Sequence, residues 1–307
     1  MKRSYSRLRE KQQRVGGAAA SDAGHGFGSV HHHSAVPMKT RDRGARATVV
    51  AGGVAAVAAA SWAHMPPHML PRMTPRRIKL LTEGAMWPIQ SLIIPPINPR
   101  GSGFAVVDVP ESVRAALDDF LDRGMWSETR FRGDALSVDD AIIYGPTARL
   151  LTNGTLGHYI AEQMRPQLEA FCECTLQASA MAYGVRVYHR GAYMIEHVDR
   201  SNKFVVSATI NVRHAIDDEW SGGWPLTLRA PFRREAVELR HRPGQAVLYE
   251  GARLWHARPQ PLAEDAYYAF FVGMTPVSWP EEHGWLVRTF VALRSVRFDR
   301  IARLLAG

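Results

Sequence analysis

The sequence predicts a mainly β, α+β domain with flanking helices, set behind a basic leader. Two observations predict the domain and a third the leader. From Ala180 the apolar pattern takes a period of two, and strand-like runs follow at 180–189, 203–213, 225–229, 235–240, 245–250 and 266–274, parted by Gly, Pro and charged turns. Many short strands so spaced point to a barrel or a sandwich. Stretches of helical periodicity stand on both sides of this block, whereas residues 1–46 have little periodicity of any kind.

Taken in order, residues 1–46 are rich in Arg, Gly, Ala, Ser and His and read as a disordered leader, with His31-His32-His33 an incidental polar tract. Residues 47–63 carry no charge and follow Arg41, Arg43 and Arg46. A helix needs about 20 apolar residues to span a bilayer, with about 17 as the lower limit. The run stands at that limit, so three expectations compete: a signal-anchor that would place the folded domain in the endoplasmic reticulum or another secretory-pathway membrane, an organelle-targeting segment, or an Ala-rich tail of a cytoplasmic protein. The sequon Asn153-Gly154-Thr155 fits the first. Residues 64–102 hold Pro66, Pro67, Pro71, Pro75, Pro88, Pro95, Pro96 and Pro99, a density that argues against long helices and predicts a linker and then an extended segment laid over the domain.

The folded domain is expected over 103–307. Phe104 to Val109 is strand-like. Pro110-Glu111-Ser112 opens a helix through Asp122, with Pro and an acid at its start, a buried stripe of Val113, Leu117, Phe120 and Leu121, and Gly124 at its end. A second helix is expected from Leu156 to Leu176, interrupted or kinked near Pro166, and a third over 281–306, with Trp285, Phe290, Leu293, Val296 and Ile301 as its apolar stripe. Both are expected to pack on the barrel.

Composition narrows the function. The net charge is +9. Residues 1–79 hold 14 Lys and Arg against three acids, while the rest of the chain carries 24 bases and 26 acids and is close to neutral. The basic character therefore belongs to the leader, and a folded face that tracks nucleic-acid phosphates is excluded. Cys172 and Cys174 are the only cysteines. Two apart on a helix their side chains diverge, so they are expected to be unbridged and buried.

The chemistry concentrates at Val185-Arg186-Val187-Tyr188-His189-Arg190-Gly191-Ala192-Tyr193-Met194-Ile195-Glu196-His197-Val198-Asp199. On an extended strand, residues two apart face the same side. His197 and Asp199 would thus aim an imidazole and a carboxylate at one point. A second imidazole is available at His256, four short β-like runs later. Two His and one carboxylate on one face of an octahedral iron leave three positions open. With 13 His in the chain, the spacing alone is weak.

The same blocks resemble the iron(II)/2-oxoglutarate dioxygenases of the prolyl 4-hydroxylase-like branch. The resemblance is carried by Arg190-Gly191-Ala192-Tyr193 with His197-Val198-Asp199-Arg200, then Val205 to Val212, Trp224-Pro225-Leu226, Pro243 to Gly251, and His256-Ala257-Arg258-Pro259-Gln260-Pro261-Leu262, spanning 180–275. It implies a double-stranded β-helix, or jelly-roll, core with iron ligands at His197, Asp199 and His256. It also implies 2-oxoglutarate and molecular oxygen as cosubstrates, with ascorbate as an accessory reductant. The substrate would be a C–H bond of a protein or small molecule, a peptidyl proline first. Members of this branch carry a Lys or Arg about ten residues past the second His to pair with the far carboxylate of 2-oxoglutarate. Here that region reads Glu264-Asp265-Ala266-Tyr267-Tyr268. The expected replacement is Arg258, whose planar fork suits a carboxylate, with Arg213 and Arg186 as alternatives and Tyr188 or Tyr193 adding a phenol. Two other classes stay open: a non-catalytic jelly-roll binding module, motivated by the missing base, and a zinc hydrolase using the same three ligands.

Overall fold

The computed structural model describes residues 75–99, 101–124, 126–130, 142–146, 148–214 and 223–295. The leader, the 47–63 run, and Val296 and Ile301 of the last stripe lie outside them. Among the described residues no helix is long and apolar enough to cross a membrane.

Four helices and twelve strands are described: α1 (Pro75–Ile93), β1 (Phe104–Asp108), α2 (Glu111–Arg123), β2 (Ser127–Arg130), β3 (Ile143–Tyr144), β4 (Arg149–Thr152), α3 (Leu156–Cys172), β5 (Val185–His189), β6 (Tyr193–His197), β7 (Val206–His214), β8 (Leu226–Arg229), β9 (Val237–Leu239), β10 (Gln245–Tyr249), β11 (Trp255–Arg258), β12 (Ala266–Met274) and α4 (Trp285–Ser295). A seven-stranded sheet runs β1-β10-β7-β12-β5-β4-β2, and a five-stranded sheet runs β3-β6-β11-β8-β9. Every pairing is antiparallel. From β5 onward consecutive strands alternate between the sheets, apart from the β8–β9 hairpin. The result is a double-stranded β-helix, a jelly-roll core.

The middle of the large sheet is buried on both faces, and β7 there is buried along its first seven residues. Val185, Val187, Ala208, Ile210, Leu248 and Phe270 face the helices and share a core with Val113, Leu117, Ile160, Met164 and Leu168. The expected stripe of α2 is buried in full, and Gly124 caps the helix in the left-handed region that glycine adopts freely. The inward residues Tyr188, Val247, Tyr249, Tyr267 and Ala269 meet Met194, Leu226 and Leu228 of the small sheet, and Trp224 just before β8, in a second core. Each fully buried large side chain contributes about 1.5–3 kcal/mol of transfer energy.

Four expectations need correction. Residues 75–93 are a helix, not an extended linker, and Pro88 lies inside it. Met86, Trp87, Gln90, Ser91 and Ile94 are all buried. Their tertiary contacts outweigh the proline penalty of about 3 kcal/mol. α3 likewise runs unbroken through Pro166 and ends at Cys172, four residues early. Cys172 and Cys174 are disulfide-bonded. The helix stops between them, and Glu173 turns the chain back at φ 51°, bringing the two Cα atoms to 5.1 Å. Finally, Trp285 is half exposed and does not pack as part of the α4 stripe.

Candidate metal centre

β6 delivers His197 as its last residue, and Asp199 follows in the loop beyond the strand. β11 pairs with β6 so that His256 is directly opposite His197. The ligand atoms His197 Nε2, Asp199 Oδ and His256 Nε2 all lie within 4.8 Å of one another. Asp199 Oδ1 is 3.5 Å from His256 Nε2 and 4.0 Å from His197 Nε2. Among the described residues this is the one group of three or more His, Cys, Asp and Glu that could hold a metal ion.

The remaining atoms of the triad are locked. His197 Nδ1 is 2.9 Å from the Ile195 carbonyl, and His256 Nδ1 is 2.9 Å from the Leu254 carbonyl. A carbonyl only accepts, so Nδ1 carries the proton in both rings and a neutral ring leaves Nε2 bare toward the site. The second oxygen, Asp199 Oδ2, accepts hydrogen bonds from Ser207 Oγ at 3.2 Å and Tyr249 Oη at 3.4 Å. Burial, followed by the Asp199 charge, pushes the Tyr249 phenol well above its usual range, so it stays a donor. Burial works against the Asp199 carboxylate, but His256, His197 and Ser207 outweigh it and hold its pKa below the usual carboxylate range. Burial likewise works against charged His256, and the Asp199 carboxylate reverses the effect, so its pKa is raised. A divalent cation at this point would compete with any proton on His256 Nε2.

A cavity of about 60 Å³ opens on the triad. Its walls include Met194, Leu226, Phe271 and Val272, together with Arg186 and Thr209. Thr209 Oγ1 is buried with no hydrogen-bond partner. Phe271 stands opposite Thr209 in the β7–β12 register, and the Arg186 guanidinium lies 5.0 Å above the Phe271 ring. One Arg186 nitrogen donates to Tyr188 Oη at 3.3 Å. This wall presents a guanidinium and an unused hydroxyl to the space beside the triad.

The other expected site residues are placed as follows. Arg258 is fully buried outside the cavity lining. It donates to the Trp224 carbonyl and to Tyr267 Oη, and its guanidinium lies 5.0 Å from the Trp224 ring and 4.8 Å from the Tyr267 ring. Arg213 is on the outside of the barrel, ion-paired to Asp118 and Asp122 of α2. Tyr188 is buried against Trp224. Tyr193 stacks on Tyr144 away from the cavity.

Residues that carried no role in the sequence complete the centre. Ser207, Tyr249 and Gly251 fall within the blocks that carry the resemblance, yet only the fold shows that they meet the Asp199 carboxylate. Thr209 on its own gives no sequence signal. Gln90 of α1 donates from its amide to the carbonyls of Asp199 at 2.6 Å and Ala252 at 2.7 Å.

No protein-family model matches the chain, and no curated protein matches it. Solved structures similar to it include a Pseudomonas putida prolyl-4-hydroxylase, 15% identical with a TM-score of 0.40, covering 61% of this chain and 98% of that one. A second is a Trichoplax adhaerens prolyl hydroxylase in complex with a hypoxia-inducible-factor oxygen-degradation-domain peptide, 13% identical with a TM-score of 0.38, covering 76% and 99%. A third is an oxidoreductase of the 2OG-Fe(II) oxygenase family from Burkholderia pseudomallei, 13% identical with a TM-score of 0.41, covering 57% and 86%.

Proposed function

We propose that the chain is an iron(II)- and 2-oxoglutarate-dependent dioxygenase. The observation that carries this is the convergence of two bare imidazole nitrogens and one carboxylate oxygen on a point, with every other polar atom of those side chains held elsewhere. Such a set fits a divalent iron and leaves three positions for other ligands. The orphaned Thr209 hydroxyl and the Arg186 guanidinium in the same cavity fit a cosubstrate with a far carboxylate. That pairing favours a dicarboxylate-using oxygenase over a zinc hydrolase, which has no need of it.

His197, Asp199 and His256 would hold the iron. Ser207 and Tyr249 keep Asp199 Oδ2 occupied, so the carboxylate would present Oδ1 alone. Arg186 is proposed as the carboxylate anchor, with Thr209 adding a hydrogen bond, because Arg186 faces the cavity and Arg258 does not. Met194, Leu226, Phe271 and Val272 keep the space apolar and exclude water. When bound, iron(II) with 2-oxoglutarate supplies oxygen activation, coupled to formation of succinate and carbon dioxide. For the substrate we propose a peptidyl proline, on the resemblance of the sequence blocks.

The experiment is an anaerobic titration of the protein with Fe(II) and then 2-oxoglutarate, followed by oxygen and proline-rich peptides. The expected result is a weak visible charge-transfer band, then succinate. Absence of both band and succinate would return the chain to the binding-module class, and hydrolysis supported by zinc would make it a hydrolase. Succinate without peptide turnover would leave the dioxygenase standing and replace the substrate.

A further inference from the structure

We propose that Gln90 is a positioning residue of the metal centre: one side-chain amide that ties the loop carrying Asp199 to the turn leading into His256. This rests on the metal site proposed above and adds α1 to it.

The loop that carries Asp199 and the turn that leads into His256 come from distant parts of the chain. The first, 198–204, follows β6, and the second, 250–254, precedes β11. One backbone bond joins them among the described residues, from the Asp199 N–H to the Gly251 carbonyl at 2.8 Å. Gln90 supplies the second tie. Its Nε2 donates one proton to the Asp199 carbonyl at 2.6 Å and the other to the Ala252 carbonyl at 2.7 Å. Gln90 is fully buried, as is Ala252. Two carbonyls around one NH2 group fix its orientation, since the amide oxygen in that place would face two acceptors. The separation of the two loops is thereby set by one planar group that has no freedom to slide.

The rest of the α1 face points at the same target. Glu83, Trp87, Gln90 and Ser91 recur at the 3.6-residue period and share one side of the helix. Glu83 pairs with Arg200, Trp87 stands 6.0 Å from the His197 ring, and Ser91 Oγ donates to the Arg253 carbonyl at 2.7 Å. A helix outside the barrel thus touches the surroundings of all three ligands. Of these contacts only Gln90 bonds both loops at once. In metal centres, groups that orient the ligands without touching the metal are worth about 10- to 100-fold in affinity.

The test compares the full chain with Gln90→Met, which keeps the length and removes both donors, and Gln90→Glu, which sets a carboxylate against two carbonyls. Leu92→Ala, on the exposed face of α1, is the control. Co(II) alone is the probe, read by its visible ligand-field bands, and hydrogen exchange is followed on the metal-free proteins over 198–204 and 250–254. The expected result is Co(II) binding weakened about 10- to 100-fold in both Gln90 variants, an altered ligand-field spectrum at saturation, and faster exchange in both loops, with the control unchanged. Wild-type affinity and spectrum in both variants overturn the proposal. If the wild-type chain binds no Co(II), the metal site itself fails. Unchanged exchange in the metal-free variants then overturns the clamp independently. Should Gln90→Glu fail to fold, Gln90→Met decides.

Discussion

Gly251 lies against the Asp199 carboxylate with no space for a side chain. A Cβ there would overlap Asp199 Oδ2 and Ser207 Oγ and come within 2.9 Å of the Phe204 carbonyl. The backbone of one loop is thus the floor on which the candidate metal-binding acid of the other rests. Gly251→Ala is expected to push the carboxylate off its Ser207 and Tyr249 hydrogen bonds and to weaken Co(II) binding at least about tenfold. Overpacking would cost about 1–3 kcal/mol of stability. Co(II) titration with urea unfolding checks both, and a variant that binds metal normally would show that the loop relaxes at no cost to the site.

The two buried arginines of the barrel have separable roles. Arg186 faces the cavity beside Thr209, and Arg258 is held by Trp224 and Tyr267 behind it. Arg186→Ala is expected to raise the KM for 2-oxoglutarate about 10- to 100-fold, the equivalent of the roughly 1.5–3 kcal/mol of a hydrogen bond to a charged group. Its kcat at saturation should fall less. Arg258→Met is expected to lower stability by about 1–3 kcal/mol by orphaning the buried Trp224 carbonyl and removing one of the two partners of the Tyr267 phenol, with little change in that KM. The reverse pattern would move the anchor to Arg258.

These two arginines show where the sequence stops being legible. The strands from β5 to β12 could be read because burial on one or both faces imposes a period of two or an apolar run, and the α2 stripe because burial on one face imposes a helical one. The convergence of His197, Asp199 and His256 could be anticipated because a metal would demand particular atoms at particular spacings, and the fold brings these three together. An anchor is different: any long basic side chain can reach a carboxylate, and Arg186 and Arg258 both satisfy the strand parity. The β6–β11 register shifts between His256 and Arg258, which parity from His256 cannot foresee. α1 was hidden for another reason. Its prolines state a local preference that Met86, Trp87 and Gln90 override by burial against loops more than a hundred residues away. The Cys172–Cys174 bridge depended on a single left-handed residue, Glu173, whose type gives no sign of it.

At the far end of the barrel, the chain of hydrogen bonds runs from Arg258 to Tyr267 Oη at 3.3 Å and on to His241 Nε2 at 3.3 Å. Arginine only donates, so the Tyr267 phenol accepts from Arg258 and shares its other bond with His241 Nε2. Burial, helped by the nearby Arg258 charge, lowers the His241 pKa to about 3. The unfolded chain binds this proton near the ordinary value of about 6.5. The stability tied to neutral His241 is therefore complete above about pH 6.5 and is lost as pH falls toward 3, at up to about 1.4 kcal/mol per pH unit. His241→Gln is expected to flatten the urea-unfolding stability between pH 6.5 and 4.5 by close to one proton relative to the wild type. Parallel curves would mean that His241 is solvated and titrates normally.

Glu83 joins three elements: it lies on α1, pairs with Arg200 of the Asp199 loop at 2.7 Å, and pairs with Arg294 of α4. Burial raises its pKa, but Arg294 and then Arg200 outweigh that and hold the carboxyl below the ordinary range, so it is ionised at neutral pH. Arg294 is itself buried, and losing its partner leaves a cation in the interior. Glu83→Gln is expected to cost about 3–5 kcal/mol in urea unfolding at pH 7, as breaking one side of a buried pair does. Replacing both partners in Glu83→Met with Arg294→Met should recover most of that loss, because no charge is then stranded. Recovery of the fold without recovery of Co(II) affinity would separate the two tasks of this acid, since the double variant still lacks the Arg200 contact beside the metal loop. A loss below about 1 kcal/mol for Glu83→Gln would place the pair with solvent-screened surface bridges instead.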